Sequence, residues 1–165
     1  MKRGLFIGRF QPFHLGHLSD IKNAFKEVDE LAIGIGSSNE KHTKENPFTV
    51  EERTEMIDSV LPNNGISNYT VFPIPDFHND KKWLEHIETL VPKFDVVFTG
   101  NKWTERCFKE KYKVKMVNML EGVSSTIIRN RMLKNMDWRS LVPKEVVNFI
   151  EKIDGIKRIK RSLKQ

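Results

Sequence analysis

Apolar residues along the chain recur with two periods. Short unbroken runs bounded by glycine or polar turns read as buried strands, and stretches with apolar positions three or four apart read as helices. The first run, Leu5-Phe6-Ile7, lies between Gly4 and Gly8. Leu18, Ile21, Ala24, Phe25 and Val28 follow at helical spacing. Residues 30–36 (ELAIGIG) predict a second strand ending in small residues. Thr49-Val50-Glu51-Glu52 has the spacing of a reciprocal capping box. The helix it opens carries Met56, Ile57, Val60 and Leu61 and stops at Pro62. Residues 69–74 predict a third strand, and Asp80 caps a helix bearing Trp83, Leu84, Ile87, Leu90 and Val91. Residues 95–99 (DVVFT) predict a fourth strand, closed by Gly100-Asn101. Residues 102–112 read as helix, 114–117 as a weaker fifth strand, and 124–133 as a helix opening on hydroxyl residues. A last helix starts near Pro143, a favoured first-turn residue, and ends before Gly155.

This alternation predicts an α/β fold, a Rossmann-like open parallel sheet with helices on both faces and right-handed crossovers. Residues 1–165 read as a single domain with a C-terminal helical extension over 143–165. Ligands in such sheets bind at the carboxyl ends of the strands. The predicted ends are Gly8-Arg9, Gly36-Ser37, Ile74-Pro75-Asp76 and Gly100-Asn101. Residues 37–47 form a polar loop long enough to act as a flap.

Composition narrows the class. Apolar residues make up 38% and charged residues 30%, an ordinary soluble balance. No apolar run approaches the roughly 18 residues needed to span a bilayer, and MKRGLFIG leads straight into a strand rather than a secretory signal. Cys107 is the only cysteine, which excludes an internal disulfide and a cysteine-based zinc site. A cytoplasmic protein is expected. Of the net charge of +6, residues 151–165 supply +4, from six Lys/Arg and two acids. That basic tail reads either as a solvated helix end or as a subunit- or RNA-contacting segment.

The chemistry concentrates in residues 8–17, GRFQPFHLGH. Gly8 permits close backbone approach, and Arg9 can fork two phosphate oxygens. His14 and His17 share one face of a helix start and can donate N–H groups to phosphate oxygens where charge develops. Gly16 leaves room for a flat base or ribose. A zinc reading of the two histidines lacks a third ligand at fitting spacing. Far downstream, Ser124-Ser125-Thr126-Ile127-Ile128-Arg129 puts hydroxyls and N–H groups at a helix N-terminus, which suits β- and γ-phosphates, with Arg129 one turn inside. Without a Walker A sequence, a P-loop NTPase is not expected.

These strings, about 110 residues apart, resemble the HxGH nucleotidyltransferases, and more narrowly the archaeal-type nicotinamide-nucleotide adenylyltransferases. The narrower likeness rests on Ile35-Gly36-Ser37 after the second strand and on residues 46–53 (NPFTVEER). It rests further on Phe94 to Asn101, Arg131-Met132-Leu133, residues 137–143 and residues 153–160. Two departures stand out. SSTIIR replaces the archaeal SGTEIR, and Asn101-Lys102-Trp103 replaces the usual Asn-Pro after the strand-end glycine.

The resemblance implies transfer of AMP from ATP to nicotinamide mononucleotide (NMN), giving NAD and pyrophosphate by direct in-line attack. It implies His14, His17, Arg9 and Arg129 as catalytic groups. Gly8, Phe10, Gly16, Gly100, Asn101, Ser124, Ser125 and Thr126 join them around ATP and its phosphates. It implies a nicotinamide-nucleotide subsite of Gly36, Ser37, Arg53, Pro75, Asp76, Phe77 and Trp83, with Trp83 stacking on the nicotinamide. Arg53 could instead form a surface ion pair with Glu51 or Glu52. Mg²⁺ would be held mainly by the ATP phosphates, with no metal site in the chain itself. A homo-oligomer, a ring-like hexamer, is implied, with no membrane or nucleic-acid partner. Two other readings are an adenylyltransferase of the same superfamily acting on phosphopantetheine or flavin mononucleotide, and a non-catalytic nucleotide sensor or RNA-binding module.

Overall fold

The computed structural model describes residues 1–164; Gln165, the last residue of the expected basic tail, lies outside them. The chain forms two compact units. The first comprises Met1–Arg9, Asp20–Ser38 and Asn68–Asn118; the second comprises Phe10–Ser19, Asn39–Ser67 and the residues from Met119 onward.

The first unit holds the whole sheet. Its strands are β1 (Arg3–Gly8), β2 (Glu30–Ile35), β3 (Tyr69–Pro73), β4 (Val96–Thr99) and β5 (Lys113–Met116). All neighbours are parallel, in the order β3-β2-β1-β4-β5. Strand order reverses between β1 and β4, which opens a crevice beyond their carboxyl ends. The paired residues fix which side chains share a face: Leu5 lies opposite both Ala32 and Val97, and Phe6 opposite both Ile33 and Phe98. The Leu5 face packs against α3 (Asp80–Leu90) and α4 (Lys102–Phe108) through Trp83, Ile87 and Phe108. The opposite face meets the C-terminal half of α1 (Leu15–Ala24), where Ile21 and Ala24 are buried. The predicted sheet, covered on both faces, is therefore present.

The second unit is helical. It contains α2 (Val50–Val60), α5 (Ser125–Leu133), α6 (Lys144–Lys152) and α7 (Gly155–Ser162), with α2 packed on α6 and α7 packed on both α5 and α6. The capping box forms as predicted: Glu52 N donates to Thr49 Oγ1 at 3.1 Å, and Thr49 N donates to Glu52 Oε1 at 2.9 Å.

Several boundaries differ from the pattern, each for a local reason. Asn79, not Asp80, caps α3: its extended backbone lets the side chain accept from Lys82 N at 3.0 Å, and Asp80 takes the first helical position. Asp95 stays outside β4, where its carboxylate accepts from Arg3 N at 2.9 Å. The helix predicted over 102–112 ends at Phe108, and Pro143 is the cap of α6 rather than its first residue. The tail is a separate helix, α7. Asp154 in the left-handed region (φ 53°) breaks the chain direction, and Gly155 restarts it. A Cβ at Gly155 would lie 2.9 Å from Ile150 Cγ2 and 3.1 Å from Phe48 Cε1, so a glycine is needed there for packing. Ile159 and Ser162 are buried, and Arg158 pairs with Glu52, so one face of the basic tail is docked.

Candidate active site

In the first unit a cavity of about 410 Å³ opens at the carboxyl ends of the strands. Gly8 and Arg9 enter it from the end of β1, Gly36 and Ser37 from the end of β2, and Asp76 from beyond β3. Trp83 of α3 and Asn101 beyond β4 complete the predicted members of its wall. Ile7, Trp103 and Thr104 also line it. Ser37 Oγ donates to Asp76 Oδ1 at 3.0 Å, which ties the β2 and β3 ends together. Ser37 holds a left-handed backbone (φ 49°), an uncommon state for a residue with a Cβ and one that clusters at ligand clamps. Asn101 caps α4 by accepting from Thr104 N at 3.1 Å, so its position follows from helix capping. Of the other residues assigned to this region, Pro75 is half-buried just past β3, and Gly100 is exposed. Phe77 is exposed, with its ring 5.2 Å from that of His86.

The second unit carries the histidines. Their rings stack with centroids 3.6 Å apart. His14 N donates to His17 Nδ1 at 3.1 Å, and His17 N donates to His14 Nδ1 at 3.3 Å. A ring nitrogen that accepts a backbone N–H carries no proton, so each neutral imidazole holds its proton on Nε2 and can donate it. Burial pushes the His14 imidazole down to about 4. His17 is lowered as well, first by burial and then by the charge His14 would carry. Both are therefore neutral N–H donors at pH 7. A Cβ at Gly16 would lie 2.9 Å from His14 Cε1, so the stacked pair needs a glycine there. Phe10 and Phe13 pack on His17 with centroids at 4.6 and 5.5 Å, and Phe10 too has a positive φ, 54°.

Residues from the SSTIIR string brace the turn that leads into the histidines. Ser124 caps α5 by accepting from Ile127 N at 3.1 Å. Ser125 Oγ donates to Pro12 O at 3.0 Å, and Arg129 Nη1 donates to Gln11 O at 2.8 Å. Arg129 Nη2 lies 3.5 Å from Thr126 Oγ1, and Thr126 itself is exposed. From the other side, the Gln11 amide pairs with the Phe48 backbone like a strand residue, donating to Phe48 O at 3.0 Å and accepting from Phe48 N at 2.9 Å. Gln11 was not singled out from the sequence. The available signal was a polar amide inside an aromatic string, which must find partners once buried.

Arg53 is not a surface residue. It is fully buried in the second unit, where Nε donates to Thr49 O at 3.2 Å and Nη2 to Glu40 O at 3.4 Å, gripping the polar loop over 37–47. Among the described residues no three His, Cys, Asp or Glu side chains gather as metal ligands, and no helix is long and apolar enough to cross a membrane.

Residues 5–131 match the family described as cytidylyltransferase-like. The nicotinamide-nucleotide adenylyltransferase of Pyrococcus furiosus is 45% identical over 166 residues, spanning 97% of this chain and 88% of its own length. That of Thermoplasma volcanium is 47% identical over 163 residues, spanning 96% and 91%. Among solved structures, a bifunctional NMN adenylyltransferase/ADP ribose pyrophosphatase from Francisella tularensis, complexed with AMP and a manganese ion, superposes with a TM-score of 0.84 at 24% identity. The match covers 98% of this chain and 51% of that one, and it speaks for the fold. The paired histidines, the braced turn and these relatives agree: the chain belongs to the cytidylyltransferase-like family and, within it, to the archaeal-type nicotinamide-nucleotide adenylyltransferases.

Proposed function

We propose that the chain transfers AMP from ATP to nicotinamide mononucleotide, giving NAD and pyrophosphate. The observation that carries this reading is the reciprocal backbone-to-imidazole bonding of His14 and His17, which leaves two neutral Nε2–H donors for phosphate oxygens. The close relatives, all nicotinamide-nucleotide adenylyltransferases, favour NMN as the acceptor.

The NMN phosphate oxygen attacks the α-phosphorus of ATP in line. The new P–O bond forms as the bond from the α-phosphorus to the bridging oxygen breaks, and pyrophosphate leaves with that electron pair. A phosphate monoester is already a nucleophile near neutral pH, so the chain works by positioning and charge stabilisation. His14 and His17 donate to the triphosphate, with His17 on the α-phosphoryl oxygens where charge builds. Arg9 orients the α-phosphate or the attacking phosphate. The first turn of α5 offers the N–H groups of Ser125 and Thr126, which have no acceptor within the helix, to the leaving pyrophosphate. Ser124 and Arg129 hold that turn in place. The cavity bordered by Gly36, Ser37, Asp76 and Trp83 receives the nicotinamide nucleotide. When bound, Mg²⁺ neutralises charge on the triphosphate. The described residues offer it no cluster of carboxylates or imidazoles, so the phosphates would supply most of its ligands. A hexameric assembly belongs to the same proposal and is read from the mass in solution.

Mixing the protein with ATP, Mg²⁺ and NMN should release pyrophosphate and form NAD in equal amounts. Pyrophosphate formed only with phosphopantetheine or flavin mononucleotide would replace the acceptor, and none with any acceptor would sink the reading.

A further inference from the structure

We propose that the C-terminal helix α7 is a positioning element for the histidine turn, and that Arg158 is the positioning residue through which it acts on adenylyl transfer. The proposal rests on the reading of the chain as an NMN adenylyltransferase.

The residues that connect helix and turn all lie in the second unit. Arg158 Nη1 donates to Glu52 Oε1, the same oxygen that accepts from Thr49 N at 2.9 Å in the capping box. The two side chains are 25% and 16% exposed, so water screens this pair less than it screens a surface ion pair. Phe48 precedes Thr49 and is fully buried. Its ring stands against the start of α7, with Cε1 3.1 Å from where a Cβ on Gly155 would be. Its backbone grips the Gln11 amide from both sides, at 2.9 and 3.0 Å. Gln11 belongs to the turn that leads to His14, and its carbonyl takes Arg129 at 2.8 Å. One helix therefore makes two contacts, a charge pair and a packed glycine, that end on the consecutive residues Phe48 and Thr49. Phe48 in turn holds the segment before the histidines.

The rest of α7 keeps that contact in place. Gly155, Ile159 and Ser162 share its buried face. Lys157, Lys160, Arg161 and Lys164 are exposed and fit a solvated helix end, whereas Arg158 is half-buried against Glu52. The chemistry makes such a link count. Phosphoryl transfer depends on positioning, and a misplacement of roughly 1 Å can cost on the order of a hundredfold in rate. The two imidazoles take their tautomer from the backbone N–H groups of His14 and His17. A shift of Phe48 passes through Gln11 to that backbone.

The test joins steady-state kinetics, normalised to the folded fraction by circular dichroism, with nitrogen NMR of the His14 and His17 imidazoles. It uses the wild type, Arg158→Met, Arg158→Lys, Glu52→Gln and the double variant of Arg158→Met with Glu52→Gln. Methionine keeps an aliphatic stem and removes the guanidinium; glutamine keeps the capping box and removes the charge. Arg158→Met should lower kcat roughly tenfold, short of the cost of a full misplacement, while KM for ATP and for NMN hold within about twofold. Arg158→Lys should recover part of the loss. Glu52→Gln should match Arg158→Met, and the double variant should be no worse than either, because both remove one pair. In Arg158→Met the His14 and His17 signals should move away from the Nε2-protonated form. A helix that only adds stability leaves kcat per folded molecule and both signals unchanged, and that result overturns the proposal. So does a double variant whose loss is the product of the single losses. If Arg158→Met does not fold, Glu52→Gln decides on the same readouts. A wild type that makes no NAD overturns the activity, and the imidazole signals alone then decide whether α7 positions the turn.

Discussion

The two units hold their functional groups in opposite ways. In the second, His14, Arg129 and Gln11 are buried, and each is bonded to backbone: imidazole to N–H, guanidinium and amide to C=O. In the first, Arg9, Asp76, Asn101 and Trp103 stand exposed on a cavity wall. Buried, backbone-bonded donors keep one geometry and pay no reorganisation cost as charge develops on phosphorus, which is what phosphoryl transfer asks of a protein. An exposed wall can admit and release a nucleotide, and its residues can change without disturbing the fold. Catalytic power should therefore be sensitive to substitutions in the second unit, and acceptor affinity to substitutions at the cavity wall of the first.

The largest effect tests the one member of the cavity wall that breaks this division. Trp83 lines the cavity yet sits in the core, so Trp83→Ala should cost about 3–5 kcal/mol of stability, in the range for a buried aromatic truncated to alanine. A urea midpoint near that of the wild type, with only KM for NMN raised, would show that Trp83 acts as a wall residue alone. Next comes His17→Ala. It removes one donor to the developing charge and the acceptor for His14 N–H, and should lower kcat by about 3 kcal/mol, or on the order of a hundredfold. KM for NMN should move little; a large rise there would place His17 in acceptor binding instead. Arg129→Met follows. It leaves the buried Gln11 carbonyl without its 2.8 Å donor and should cost about 2 kcal/mol in the urea midpoint, along with a fall in kcat. A fall in kcat without loss of stability would mean that Arg129 acts on the phosphates and the brace to Gln11 is dispensable.

The same division explains what could be read from the sequence. The strands were legible because glycines bound short apolar runs, and the cap of α2 because its box closes within four residues. Residues 8–17 announced phosphate chemistry as a contiguous string. The brace behind them was not legible. Arg129 to Gln11 and Ser125 to Pro12 join residues more than a hundred apart, and each residue taken alone fits an ordinary phosphate contact or helix cap. Arg53, expected in the nicotinamide subsite or else in a surface ion pair, was not legible either: only its burial reveals the bond to Glu40 O in the 37–47 loop. The C-terminal extension was expected as helix, but not its restart at Gly155 as a separate docked helix, because glycine ends helices far more often than it starts one at a tight contact. Trp103 was visible only as part of the departure Asn101-Lys102-Trp103, because a tryptophan among lysine, threonine and glutamate has no periodic signal. What exposes it is the meeting of four strand ends with the first turn of α4.

The smallest effect is a change of slope rather than a loss, and it sets the units against each other. His14, in the second, has its imidazole held down to about 4 from 6.5, so the unfolded chain binds the proton more readily. Its contribution is present above pH 6.5 and is lost as pH falls toward 4, and His17 acts in the same direction. Asp20, on the part of α1 that belongs to the first unit, has its carboxyl raised by burial to about 6 from 3.8. Its contribution is present below pH 3.8 and is lost as pH rises through 6. Between pH 4 and 6 the terms oppose, so stability of the wild type should climb with pH less steeply than the two histidines alone dictate. Asp20→Asn removes the opposing term and should steepen the climb while stabilising the fold at pH 7. His14→Gln should flatten it. Urea midpoints at pH 4, 5, 6 and 7 measure all three slopes. Parallel profiles for the wild type and Asp20→Asn would mean that the Asp20 carboxyl is solvated and does not oppose the histidines.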